Sequence, residues 1–147
     1  MELAKILVPI RGSAVDDEVI KLACDLAKKR GGRIRVVYVI QVQRTLPLEA
    51  EVEPEMRRAD ELLAHAELIA QDQGYEIETD LLQSREIGPA VVDEAVEGAM
   101  DVIMMGIVYK KHFGEFSLGS VMPYVLKNAP CPVLLLRESM VGESGRL

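Results

Sequence analysis

Lys5-Ile6-Leu7-Val8-Pro9-Ile10-Arg11-Gly12-Ser13 opens the stretch that decides the fold, and Gly31-Gly32-Arg33-Ile34-Arg35-Val36-Val37-Tyr38-Val39-Ile40 closes it. Lys5 to Ile10 is a continuous apolar run of strand length, the pattern of a strand covered on both faces. After a short loop, Ser13 fits the N-cap of a helix with Asp16, Asp17 and Glu18 in its first turn, where acids complement the helix dipole. Val19, Leu22, Ala23, Leu26 and Ala27 recur at helical spacing; Lys28, Lys29 and Arg30 occupy the last turn, and the two glycines stop it. Arg33 to Ile40, rich in β-branched residues, is a second strand. Strand, helix and strand at this spacing make a βαβ unit, which requires parallel strands and a right-handed crossover.

The same alternation continues outward. Pro54 to about Gln73 carries Met56, Ala59, Leu63, Ala66 and Ile69 or Ala70 on one helical face, ended by Gly74. Glu76 to Gln83 alternates in polarity as a half-covered edge strand should. Gly88-Pro89 starts a third helix, with Val92, Ala95, Val96 and Ala99 facing inward. Asp101 to Met105 is a fourth strand. A fourth helix begins near Ser120, buries Met122, Val125, Leu126 and Ala129, and is broken by Pro130-Cys131-Pro132. Val133 to Leu136 is the fifth strand. Gln41 to Glu53, with its proline and acids, reads as an exposed loop, and residues 138–147 as a flexible tail.

The expected fold is therefore α/β: a single open, doubly wound, five-stranded parallel sheet of order 3-2-1-4-5 with helices on both faces, Rossmann-like. In such sheets ligands sit beyond the carboxyl ends of the strands. The loops at Arg11–Ser13 and at Gly106–Ser120 both emerge there and face one crevice. The second of them combines a buried strand, a glycine-edged loop and a helix opening on Gly119-Ser120, a recurring way to hold an anion.

Composition narrows the function classes. The chain has 147 residues, one domain's length, with 49% apolar and 28% charged residues and a net charge of −7. That charge argues against a general nucleic-acid binder. No apolar run approaches the roughly 20 residues of a membrane span. Met1 to Lys5 lacks signal-peptide architecture, and Cys24 and Cys131 have no metal or redox spacing, so two reduced thiols in a cytoplasmic protein are expected. The two histidines, His65 and His112, offer little for a metal site or a triad, and no catalytic residue is marked by motif. Glu55, Glu61 and Glu67 against Arg57 and Arg58 read as a solvated helix surface, with His65 one step off the apolar face.

The opening Lys-Ile-Leu-Val-Pro-Ile with Gly12-Ser13, the pair Gly31-Gly32, and the ending Leu118-Gly119-Ser120-Val121 to Asn128-Ala129-Pro130-Cys131-Pro132-Val133-Leu134-Leu135-Leu136-Arg137 together resemble the universal stress protein (UspA-like) family over residues 1–137. The resemblance implies an adenine nucleotide alpha hydrolase-like fold and a homodimer joined through the last strand. Members that bind ATP carry Gly, two residues, Gly, nine residues, Gly, then Ser or Thr, with an aspartate after strand one contacting adenine. Gly106, Gly119 and Ser120 match this motif in register; Tyr109 replaces its second glycine and Arg11 the aspartate. The resemblance places Pro9, Ile10, Arg11, Val39, Met105, Gly106, Gly119, Ser120 and Val121 at a nucleotide site, with Lys110, Lys111 and His112 as further anion contacts.

Arg11 is donor-only, so it cannot accept from an adenine amino group; it can pair with a phosphate or an acid, or stack on a base. Two expectations stay open. One is a regulatory domain binding ATP, with magnesium, or another adenine nucleotide. The other is a nucleotide-free dimer acting on an unidentified protein partner. Weak ATP hydrolysis is the most that an enzymatic reading supports. The apolar Val133–Leu136 strand argues separately for pairing, because an unprotected sheet edge recruits another strand.

Overall fold

Five parallel strands, alternating with helices, bring their carboxyl ends to one rim. The computed structural model describes residues 3–108, 110–112, 115–117 and 120–137, with residues 110–112 and 115–117 as backbone. In chain order the elements are β1 (Lys5–Ile10), α1 (Val15–Lys28), β2 (Arg33–Gln41), α2 (Glu53–Asp72), β3 (Glu78–Ser84), α3 (Ile87–Glu97), β4 (Val102–Ile107), β5 (Lys110–His112), β6 (Glu115–Ser117), α4 (Val121–Asn128) and β7 (Val133–Arg137). The main sheet has the order β3-β2-β1-β4-β7, and each of its pairings is parallel. This is the expected 3-2-1-4-5 sheet, with the order reversing between β1 and β4.

Alternation along each strand divides the core in two. Ile6, Val8 and Ile10 of β1, Val36 of β2 and Val102 and Met104 of β4 pack under α1 and α2. Leu7, Val37, Val39, Ile103 and Met105 pack under α3 and toward Val125 of α4. Both faces of the central strands are thus dry, which explains their unbroken apolar sequence. β3 lies at an edge and none of its residues is fully buried.

Four residues assigned to the core by periodicity lie outside it: Leu22, Val96, Leu126 and Ala99, the last exposed in the turn after α3 with φ of +49°. Leu22 is 38% exposed while Ile20 and Cys24 are buried; Val96 is 58% exposed while Val91 is buried; Leu126 is 50% exposed. In each helix the apolar stripe is broader than the face the sheet can cover, so one edge of it meets solvent.

Two loops show more than the sequence indicates. The segment between β2 and α2 is exposed over most of its length, as expected, and is also tied down. Gln83 Nε2 donates to the carbonyls of Leu48 (2.9 Å) and Ala50 (2.8 Å), and Arg85 Nη1 to those of Gln43 (2.6 Å) and Leu46 (2.8 Å). Val42 is buried with Ile40 and Ala59. The stretch after β4 contains an antiparallel ribbon, β5 with β6, pairing Lys110 with Ser117, Lys111 with Phe116 and His112 with Glu115.

At the amino-terminal end of the sheet, Arg33 and Arg35 of β2 meet Glu78 of β3 at 2.7 and 3.4 Å, and Arg35 reaches Glu94 of α3 at 2.9 Å. The arginine side holds the Glu78 carboxyl below the usual carboxylate range, mainly through the Arg33 hydrogen bond. This polar girdle lies at the far end from the crevice and shapes nothing there.

Candidate functional site

The crevice is built from the loop after β1. Its geometry depends on Asp16. The N–H groups of Arg11, Gly12 and Ser13 all donate to Asp16 Oδ2, at 3.0, 2.8 and 3.1 Å, and Ser13 Oγ stands 3.5 Å from Oδ1. Three successive N–H groups converge only if the chain turns sharply, and Gly12 supplies the turn with φ of +91°. Ser13 gives its own N–H to Asp16 and does not cap the helix through its Oγ. Ala14 stands at the N-cap position without a side-chain cap, and the first turn closes through Asp16 N–H to the Ser13 carbonyl at 3.1 Å. Asp16 meets the dipole expectation for the first turn, but its carboxylate folds back onto the preceding loop.

Asp16 is the one charged side chain among the buried described residues, at 6% exposure. Burial pushes its carboxyl above the ordinary value of 3.8, and the three backbone N–H groups offset part of that rise. From behind, α2 braces the loop. The Arg58 guanidinium lies over Gly12, where a β-carbon would come within 2.5 Å of Nη2. His65 Nε2 lies 3.1 Å from both Asp17 carboxylate oxygens. A second cavity of about 260 Å³ sits between α1 and α2 there and shares Ile10 and Asp16 with the crevice.

On the other side of the loop a cavity of about 190 Å³ opens at the carboxyl ends of β1, β2 and β4. Its wall contains Pro9, Ile10, Arg11, Val39, Met105, Gly106 and Val121, seven of the residues singled out from the sequence. The structure adds Asp16, Tyr38, Ile87 and Val91. The last two come from the first turns of α3, which no strand-end loop pattern could have pointed to. Asp16 carried the only signal available in advance, an acid in the first turn beside the loop. Ser120 is exposed just before α4 and stands outside this wall. Lys110, Lys111 and His112 form the backbone of β5, and Gly119 and Tyr109 lie outside the described residues.

Apolar side chains dominate the cavity, and Arg11 and Asp16 are the charged residues in its described wall. Arg11 is exposed and makes no ion pair with another described residue. A mostly apolar pocket with a few placed polar groups is the usual form of a small-molecule site. Gly106 is demanded by packing as well: a β-carbon there would stand 2.5 Å from Val15 Cγ1 of α1. Gly88 likewise admits the Tyr124 ring, joining α3 to α4. Among the described residues no group of three or more His, Cys, Asp or Glu side chains could hold a metal.

Residues 2–137 match the model of the universal stress protein family. The chain is a member of that family. Universal stress protein MJ0531 of Methanocaldococcus jannaschii is 31% identical over 140 residues, covering 91% of this chain and 82% of the relative. Two solved universal stress proteins from Archaeoglobus fulgidus superpose over most of the chain. One is 28% identical with a TM-score of 0.71 and covers 89% of this chain and 91% of its own. The other, in complex with dAMP, is 27% identical with a TM-score of 0.72 and covers 92% and 98%. Arg11 and Tyr109 stand where the ATP-binding motif of the resemblance has an aspartate and a glycine.

Proposed function

We propose that this universal stress protein is a cytoplasmic regulatory domain that takes an adenine nucleotide in the crevice between the loops after β1 and β4. The observation that carries the reading is the cavity at the switch point of the sheet, walled by Pro9, Ile10, Arg11, Val39, Met105, Gly106 and Val121. The dAMP held by the Archaeoglobus fulgidus relative supports the ligand class. The base would occupy the apolar cavity, with the phosphates directed toward Arg11, the β4–α4 segment with Lys110 and Lys111, and the helix start at Ser120. A monophosphate needs no metal; a triphosphate would bring magnesium with its own phosphates.

The experiment is to denature freshly purified protein and identify any nucleotide released, then titrate the emptied protein with AMP, ADP and ATP by calorimetry. Released adenine nucleotide, or saturable heat with at least one of the three, is the expected result. No release, no heat and no shift in melting temperature would remove this reading and leave a nucleotide-free interaction protein.

The same proposal includes a homodimer through β7. That strand pairs with β4 on one side and forms the edge of the sheet. Leu134, 39% exposed, lies on it, in a chain that also exposes Leu126 and Tyr124 on α4. Such an edge tends to recruit a second strand. Light scattering at micromolar concentration is expected to give a dimer mass for the wild type and a monomer mass for Leu134→Asp. A monomeric wild type would overturn the assembly without touching the nucleotide reading.

A further inference from the structure

We propose that Asp16 is the positioning residue of the crevice: by occupying the three loop N–H groups itself, it assigns anion recognition at this end to the Arg11 side chain. The proposal rests on the reading of the crevice as a nucleotide site and says which part of the ligand Arg11 reads. Three convergent N–H groups would ordinarily attract a phosphate. Here those of Arg11, Gly12 and Ser13 are already satisfied by Asp16 Oδ2 at 2.8–3.1 Å, from a carboxylate that is almost wholly buried. An incoming phosphate would have to displace an internal anion that the fold holds in place. It would also meet the repulsion of that anion.

The same three bonds hold the Arg11 backbone against the cavity wall, with the Arg58 guanidinium lying over Gly12 from the opposite side. The Arg11 side chain starts from this fixed point, is exposed, and has no ion-pair partner among the described residues. It is the described cation of the wall and the group free to meet a phosphate, which a guanidinium does with paired, directional N–H bonds. The loop therefore selects for a phosphorylated ligand through a side chain and not through its backbone.

The test compares AMP with adenosine by calorimetry in the full chain, well below the melting temperature of each variant. Wild type is expected to prefer AMP by about tenfold or more, the worth of a charge-assisted contact. Arg11→Ala should bring the two affinities together by weakening AMP alone. Asp16→Ala should erase the same preference, although Asp16 bonds only to the backbone and Ser13. Asp16→Asn, which keeps a carbonyl oxygen for the three N–H groups, should restore most of it. Asp16→Ala with the wild-type preference, or with AMP and adenosine weakened equally, overturns the proposal. If wild type binds neither compound, the nucleotide reading fails. Amide hydrogen exchange then decides the role of Asp16: protection at Arg11, Gly12 and Ser13 lost in Asp16→Ala and kept in Asp16→Asn supports it, and unchanged protection in Asp16→Ala overturns it.

Discussion

Gly106→Ala is expected to lower the stability of the chain by about 1–3 kcal/mol, the cost of overpacking a filled core. The new methyl group would stand 2.5 Å from Val15 Cγ1, 3.2 Å from Cγ2 and 3.4 Å from Cβ. Val15 is only 1% exposed, so it has nowhere to retreat. Being β-branched and in the first turn of α1, it is also confined to essentially one side-chain rotamer. Either α1 slides away from the end of β4 or the strand end moves, and both walls of the crevice shift with it. At about 2–4 °C per kcal/mol for a chain of this size, thermal melting should resolve the effect. The discriminating measurement is a double-mutant cycle with Val15→Ala. In that background Gly106→Ala should be close to neutral, giving a coupling of about 1–3 kcal/mol. Additive effects would show that the glycine is not there to admit Val15.

Asp16→Ala ranks next, with an expected loss of about 1–3 kcal/mol, because three N–H groups lose their acceptor. Arg11 and Gly12 are exposed and their N–H groups can turn to water, which keeps the cost to that range. Asp16→Asn should cost less, and its comparison with wild type carries a pH signature. Burial raises the folded-state value of the Asp16 carboxyl above 3.8, so within that interval the folded chain holds a proton that the unfolded chain has released. The contribution of the neutral acid is complete below 3.8 and is lost as pH rises through the raised value. Urea unfolding of both proteins between about pH 3 and pH 7 should thus show wild type losing ground to Asp16→Asn as pH increases. Wild type gaining ground would mean that the three N–H bonds outweigh burial and that the carboxyl is instead depressed.

These two positions also show what a sequence can and cannot disclose. Gly106 is legible as a glycine that something must approach closely, and the family motif suggests a ligand. The nearest approach in the fold is Val15, brought there because α1 packs across β1 and β4 at their switch point. Asp16 is legible as a first-turn acid, since helix-dipole complementarity is a local effect. Its hold on the Arg11–Ser13 backbone depends on the left-handed turn at Gly12, which local pattern does not specify. Leu22, Val96 and Leu126 illustrate the same limit in the core: periodicity identifies an apolar stripe, while the curvature and width of the sheet decide which edge of the stripe is covered.

By itself the sequence determined the alternation of strands and helices, the parallel sheet and its order, the family, and the two loops that meet at the crevice. The alternation and the parallel pairing follow from periodicity, glycine and proline punctuation and the handedness of βαβ crossovers, all of which act over short stretches; the family rests on the resemblance carried by the β1 opening and the Leu118-to-Arg137 ending. Only the tertiary structure decided that Ile87 and Val91 complete the cavity, that Gln83 and Arg85 tie down the loop after β2, and that an internal carboxylate fills the N–H groups at the end of β1. The first two join elements distant in sequence, and the third, though local, hangs on one turn of the backbone that tertiary packing holds. The first two are set by which surfaces packing brings together, and no spacing along the chain encodes them; for the third, the Ser13-x-x-Asp16 spacing encodes the bond from the Ser13 N–H, while those from Arg11 and Gly12 depend on the turn.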